Sequence, residues 1–519
     1  METEAVAEDG ADNFPAGGMG SRLLSLAAIA GVVLLIAGLL YFLWVDLRCA
    51  GIALAYPFGL DYGEGIVWQQ AMLIPGPQMY GPIDHLPFIV FHYPPVYHLA
   101  SRAVMALGVD PLAAGRMVSL GATIVISISI AWLVAAGLAG RIGRSAMLVG
   151  AVTGALLPLS LGPVEMWFDL MRIDMLAIAL AFLGVVFAVQ AERQPAWLAL
   201  AMPAFVLSVY TRQTELAAPA ATLAVLLIVR PRAAILAALG GAVLGLAALA
   251  WLEWLTAGGF LRHIIFYNVN SWSFALLLER LRFQVSYAVL LAIAVIGLAT
   301  LWLRQGDRTD GETPKYNILV PIITVWLLLS LVMMVATVGK TGSNVNYFIE
   351  PMCVCAVAVG LLVGLCWQAV VGSPNRRGLA LRLGLVFAAF ALVGVMAKRR
   401  PVCYAVRDPG LTAIQENLVQ EIAKQDRPVL SEDMVLTMRA GRVVPIEMSI
   451  FRELAVTGQW DQRRILDLIN AHAFAFMVTT PDKIYTPQRY TPEVMAAIER
   501  AYPRVETRGL YAVRYPETP

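Results

Sequence analysis

Apolar residues fall in long unbroken runs along this chain, at 23–45, 113–139, 145–163, 170–190, 196–210, 214–229, 233–255, 284–303, 316–338, 349–371 and 380–397. A helix crossing a bilayer needs roughly 20 consecutive apolar residues, so the pattern predicts about eleven transmembrane helices. The first run is longer than the apolar core of a secretory signal and reads as a retained anchor. Between the first two runs lies the loop 46–112, rich in Pro, Gly, Tyr and His. It contains one short apolar helix, 96–107, which cannot span and is expected along the interface. Beyond residue 397 the pattern changes to mixed charge. Strand candidates at 428–431 and 473–480, and a further one from Gly509, alternate with helix candidates at 412–425, 460–471 and 492–502. That alternation suits a small α/β domain. The expected organisation is a disordered cytoplasmic tail at 1–22, a transmembrane domain at 23–397 and an extracytoplasmic α/β domain at 398–519.

Composition sharpens the class. Of 519 residues, 59% are hydrophobic and 14% charged, against about 45–50% and about 25% in soluble domains. The chain is expected to be an integral membrane protein, which excludes a cytosolic enzyme, a nucleic-acid binder and a secreted domain. The net charge is only +2, so any electrostatic function depends on where charges sit. With the N-terminus inside, Arg141, Arg144, Arg193, Arg230, Arg232, Arg304, Arg308, Lys315, Arg376, Arg377 and Arg382 obey the positive-inside tendency. Yet Arg48, Arg102, Arg116, Arg172, Arg212, Arg262, Arg280, Arg282 and Lys340 would lie outside. Positive charge kept there against the bias calls for a reason, such as an anionic ligand. The five cysteines show neither a metal spacing nor a disulfide framework and read as apolar fillers.

The chemistry-bearing residues gather in the predicted outer segments. Asp61-Tyr62-Gly63-Glu64 places two carboxylates on a Gly-rich loop just outside the first crossing. Such carboxylates can take a proton from a hydroxyl, although a turn or helix-cap role accounts for them equally well. Glu165, Asp169, Arg172 and Asp174 border the fourth run, and Arg212 with Glu215 lies between the fifth and sixth. Ionisable residues at the ends of spans face a pathway or a site; helix-terminal ion pairs are the plainer account, and the two can coexist. Arg262-His263 precedes Tyr267-Asn268, and Lys340 precedes Asn344, Asn346, Tyr347 and Glu350, combinations that can neutralise phosphate and bond sugar oxygens, or else serve as ordinary interfacial anchors and turns. All five histidines fall on the outer side, with no metal-ligand spacing. A divalent ion held by carboxylates and water stays open. There is no Walker loop, Rossmann fingerprint or zincin helix.

Together, Asp61-Tyr-Gly-Glu64, Gly76-Pro-Gln-Met-Tyr80, Tyr93-Pro-Pro-Val-Tyr97, Asn346-Tyr-Phe-Ile-Glu350, about eleven crossings and an outer terminal domain resemble the GT-C superfamily of polyprenyl-phosphate-dependent glycosyltransferases. The likeness is nearest to the bacterial branch of protein mannosyltransferases and lipid A aminoarabinose transferases. One departure is Phe91-His92-Tyr93 before the double proline, where the aminoarabinose branch commonly has an acidic–basic pair. The resemblance implies a multi-pass protein of the bacterial cytoplasmic membrane with its site and terminal domain outside. It implies an inverting transfer of a sugar from a polyprenyl-phosphate donor to a hydroxyl of an envelope glycan, lipid or protein. Asp61 would act as base with Glu64 beside it, and Arg172, Arg212 and Lys340 would hold the donor phosphate. Tyr62, His92, Tyr93, Asp169, His263, Tyr267, Asn268, Asn344, Asn346 and Tyr347 would contact substrate. The main alternatives are a transporter or flippase of a lipid-linked or anionic substrate, and a non-catalytic binding protein.

Overall fold

The computed structural model describes residues 19–268, 270–306, 318–372, 376–399, 403, 408–480 and 489–517. Among them, seven helices are long and apolar enough to cross a membrane: Met19–Ala55, Pro111–Leu138, Pro231–Leu255, Val285–Arg304, Leu319–Val338, Val345–Val371 and Gly378–Lys398. Four shorter apolar helices, Arg144–Ser160, Asp174–Gln190, Pro195–Val209 and Ala217–Val229, fall on the remaining runs. Every apolar run is thus helical, and the chain is a polytopic helical membrane protein. The tail expected at 1–22 lies outside the described residues up to 18, and its last four residues belong to the first helix. That helix also continues past the predicted end at 45 to Ala55, and Asp46 within it pairs with Arg399 at 3.0 Å. Arg308 and Lys315 lie outside the described residues.

Beyond Glu350 in its first turn, the helix Ile349–Val371 is apolar all round as far as Cys366, and it is buried from Ile349 to Cys366, as a helix at the centre of a bundle must be. It approaches the helix Arg144–Leu156 through glycines on both sides. A Cβ on Gly150 would stand 2.5 Å from the Gly360 carbonyl oxygen, so only glycine lets the two backbones touch.

The terminal region carries a four-stranded sheet, β1 (Leu430–Ser431), β2 (Met477–Thr479), β3 (Arg504–Arg508) and β4 (Tyr511–Tyr515), in the order β1-β2-β4-β3. β1 pairs with β2 in parallel, Leu430 opposite Met477, and the other pairings are antiparallel. Three of these strands lie at the expected places, as do the helices Pro409–Ala423, Arg463–Asn470 and Pro492–Ala501. Two of those helices begin as their sequence directs, with Asp408 and Thr491 capping backbone N–H groups just before a proline. β3 (RVETR) is mostly exposed and presents no apolar face that could announce it.

The terminal region packs onto the loop 46–112. Gln69 exchanges both amide hydrogen bonds with the Val444 backbone, Phe88 forms a parallel bridge with Ile446, and the Trp460 indole donates to the Ile83 carbonyl. Trp68 and Ile74 of the loop share an apolar core with Met434 and Val513. The short helix Val96–Met105 lies close to its expected place.

Candidate active site

Asp61 and Glu64 leave one turn in different directions. Glu64 opens the helix Glu64–Leu73 and is fully buried. Its Oε1 accepts from Arg116 Nε (2.9 Å) and the Met171 N–H (2.8 Å), its Oε2 from Arg116 NH2 (2.8 Å) and the Leu60 N–H (2.7 Å). Arg116 spends its other donors on the carbonyls of Ala53, Tyr56 and Phe58. Burial alone would raise the Glu64 carboxyl, but the Arg116 charge and these hydrogen bonds outweigh it and hold it below the ordinary carboxylate range. Glu64 has no lone pair to spare for a substrate; its place is to fix the turn. Asp169, expected to touch substrate, is buried beside this clamp, its carboxyl pushed up to about 7 by burial and then by the Glu64 charge.

Asp61 remains 22% exposed at its side chain. Its Oδ1 accepts from the Gly63 N–H (2.9 Å) and from Arg172 NH1 (3.1 Å). The glycines of the motif now have reasons. A Cβ on Gly63 would fall 1.7 Å from Arg172 NH1, and one on Gly65 would fall 2.7 Å from the Met434–Val435 backbone. The first gap admits the arginine and the second admits the terminal region.

The arginines form a second layer. Arg172 lies over the Trp167 ring at 5.6 Å from its centroid, and the Trp167 indole donates to Asp174 Oδ2 at 2.8 Å. Asp174 Oδ1 accepts from Asn346 Nδ2 at 2.8 Å and lies 3.5 Å from Arg212 NH1. Arg212 also pairs with Glu215 at 2.9 Å and covers the Tyr347 ring at 4.6 Å. The Arg212–Glu215 pair is the helix-terminal pair expected; Arg172 instead reaches Asp61. Glu165 pairs with Arg399, away from Arg172. Tyr93 and Asp174 interact electrostatically with both Arg172 and Arg212. Burial pushes the Tyr93 phenol up to about 12, so it stays a donor across the neutral range. Two guanidinium nitrogens in this layer, Arg172 Nε and Arg212 NH2, are buried without a hydrogen-bond partner among the described residues, as is Asn346 Oδ1.

The remaining expected residues divide. Tyr62 is half-buried, its hydroxyl accepting from Ser449 and its ring lying under Arg489, which stands 4.6 Å from the ring centre. His92 lies 3.5 Å from Glu447, and burial together with the Arg172 charge lowers it to about 4, leaving it neutral. His263 has both ring nitrogens committed, accepting from the Phe91 N–H at Nδ1 and donating to the Gly81 carbonyl at Nε2. Tyr267 packs on that imidazole, Asn268 donates to the His92 carbonyl, and Asn344 caps the turn at Val345. These four support the loops around the centre. Lys340 is half-buried, its segment bridged to Trp272, and its ammonium has no side-chain partner among the described residues. The described residues hold no group of three His, Cys, Asp or Glu arranged for a metal. Beside Asp61 a cavity of about 190 Å³ opens toward the terminal region, lined by Tyr62, Gln415, Glu432, Asp433 and Tyr511 among others.

Sequence reasoning missed Trp167 and Glu447, and it counted Arg116 only among the outer positive charges, without its partner Glu64. Arg116 sits within a 28-residue apolar helix, and an ionisable residue in a span is itself a signal. Glu447 lies in a mixed-charge stretch and carries no such signal.

No family model matches this chain, and no curated protein matches it in sequence. Solved structures do. ArnT from Cupriavidus metallidurans in the apo state is similar with a TM-score of 0.56 at 12% identity, over 92% of this chain and 97% of that one. The same protein bound to undecaprenyl phosphate is similar with a TM-score of 0.55 at 12% identity and the same coverage. An Archaeoglobus fulgidus oligosaccharyltransferase tethered with an acceptor peptide has a TM-score of 0.48 at 10% identity, over 89% of this chain and 72% of that one. At such identities the ArnT likeness shows the fold alone.

Proposed function

We propose that this chain is an inverting glycosyltransferase that moves a sugar from a polyprenyl-phosphate donor to an acceptor hydroxyl. The observation that carries the reading is the pair of arginines, Arg172 and Arg212, each with a buried, unpartnered N–H at a centre that also holds the partly exposed Asp61. A buried donor without a partner is costly, and an anion accepting from both arginines removes that cost. A donor phosphate fits, and the ArnT structure of like fold is bound to undecaprenyl phosphate.

In this reading the acceptor hydroxyl enters by the cavity beside Asp61 and attacks the anomeric carbon in line. The new bond forms as the sugar–phosphate bond breaks, its electrons stay with the phosphate, and Asp61 takes the hydroxyl proton. The leaving phosphate needs no acid, because two fixed cations in a water-poor site stabilise its growing charge. Arg116 and Glu64 hold the turn that aims Asp61. Lys340 adds charge at the margin. The centre faces the extracytoplasmic side of a bacterial cytoplasmic membrane, with 23–397 forming the membrane domain and 398–519 covering the acceptor side.

The test uses purified protein and its Asp61→Asn variant in nanodiscs, with radiolabelled polyprenyl-phosphate sugars and an envelope acceptor extract. Release of polyprenyl phosphate by the wild type alone is expected. No release from any donor would overturn the reading in favour of a transporter.

A further inference from the structure

Glu447 is the least explained charged group of this centre. It precedes the helix Met448–Val456 in the terminal region, far along the chain from every other member of the site, and is 8% exposed. Its Oε2 is buried without a hydrogen bond, and the neutral His92 Nε2 lies 3.5 Å from it. The charged and titratable groups that face it are His92, Tyr62, Asp61 and Arg172. Glu64, fully buried, looks different: it accepts four hydrogen bonds. A buried carboxyl left without them is available for something the resting structure does not contain.

Proton bookkeeping supplies the something. Each transfer leaves one proton on Asp61, and a protonated Asp61 has lost its ion pair with Arg172. The proton must move on before the next cycle. We infer that Glu447 is the relay carboxyl: it receives the acceptor's proton from Asp61, restores the Asp61–Arg172 pair and releases the proton to water. The inference rests on the transfer reading above. Written out, R–OH loses its proton to Asp61 as the R–O–sugar bond forms; Asp61 passes it to ionised Glu447; Glu447 gives it to solvent, one proton for each sugar moved. Glu447 acts through Asp61 and is therefore a positioning residue of the reaction. Burial, opposed by the Arg172 charge and aided by that of Asp61, brings its carboxyl up to about 7, where a relay both takes and gives a proton near neutrality. His92 is neutral there and does not compete.

The experiment compares wild type, Glu447→Gln and Glu447→Asp with a donor that the wild type turns over, and separately titrates undecaprenyl phosphate as a binding probe. The expected result is a fall in kcat of at least roughly tenfold in Glu447→Gln, with probe affinity and acceptor KM within about twofold. The wild-type rate should rise with pH through about 7, Glu447→Gln should lose that limb, and Glu447→Asp should recover part of both. Wild-type turnover with an unchanged pH profile in Glu447→Gln would overturn the relay and leave the transfer reading intact. Absence of wild-type turnover with every donor would overturn the transfer reading and the relay with it. Loss of probe binding in both variants would assign Glu447 to donor binding instead.

Discussion

Glu64 and Asp61 leave the same turn three residues apart, and each meets an arginine from a later segment. Glu64 with Arg116 is a closed unit: both side chains are fully buried, the carboxylate accepts four hydrogen bonds, and the guanidinium also holds three carbonyls. Asp61 with Arg172 is an open one, joined by a single 3.1 Å contact, 22% and 16% exposed, with a guanidinium nitrogen left over. Residue type and sequence spacing are the same in kind. Saturation separates them, since a pair with no spare donor or acceptor can only hold the fold, and a pair with spares can meet a ligand.

The comparison breaks most visibly at Arg116. Arg116→Met strands a fully buried carboxylate, and removing one partner of such a pair costs about 3–5 kcal/mol. A thermal unfolding scan in detergent should show the largest drop of any single variant discussed here. Glu64→Gln combined with Arg116→Met should recover part of it, though the three carbonyls stay unserved. Arg116→Met that melts normally yet fails in turnover would make the closed pair part of the reaction and erase the distinction.

Asp61→Asn tests the open member. Losing a general base slows proton transfer by roughly 10²–10⁴-fold, while a partly exposed ion pair contributes about 1 kcal/mol or less to stability. Turnover should collapse with little change in melting temperature, the reverse of the Arg116 variant. Next in size come Arg172→Lys and Arg212→Lys, which keep charge and lose the planar fork. Each should weaken undecaprenyl phosphate binding by about 1.5–3 kcal/mol, the range for hydrogen bonds to charged groups, measured by titration in nanodiscs.

Much of this was legible in the sequence, and the reason is periodicity. All eleven apolar runs are helical because long apolar stretches permit little else in a bilayer. The terminal strands β2 and β4 showed through their β-branched and aromatic residues and β1 through its short apolar run, whereas β3, exposed at the sheet edge, did not. At the centre, Asp61, Arg172, Arg212, Tyr93 and Asn346 were legible as charges, a phenol and an amide in outer loops and at helix ends, where such groups need a reason. The partner of each was not: that Arg172 chooses Asp61 over Asp169 or Asp174 depends on Gly63 leaving room, a contact between segments 109 residues apart. His263 read like a ligand residue because composition cannot tell a free imidazole from one with both nitrogens spent on backbone.

A smaller effect separates the two buried glutamates by pH. Glu64 is held below the ordinary range, so its contribution to stability is complete at neutral pH and is lost only on acidification through that lowered value. Glu447 is raised from the ordinary 4.5 to about 7. The folded state then binds its proton more tightly than the unfolded state, so stability falls as pH rises between those values and levels above them. Melting temperature against pH should show that decline in the wild type, on the order of 1 kcal/mol after allowance for relaxation around the group, and a flatter curve in Glu447→Gln. A wild-type curve without the decline would mean that Glu447 finds a cationic or hydrogen-bonding partner in solution.

Lys340 should give the smallest effect, and for that reason it tests the comparison most closely. Its ammonium is half-buried and joins neither arginine, and its loop is held by backbone contacts with Ser271 and Trp272. A cation of that kind acts by long-range attraction, worth about 0.2–1 kcal/mol and screened by salt. Lys340→Ala should therefore weaken undecaprenyl phosphate binding by no more than about fivefold, and the difference from wild type should shrink as salt is raised. The arginine variants should keep most of their deficit in salt, because a buried donor is screened far less than an exposed charge. If Lys340→Ala instead costs as much as Arg212→Lys and resists salt, the loop from Gly339 to Asn346 must close over the phosphate on binding. The open centre would then be the resting half of a site that the ligand completes.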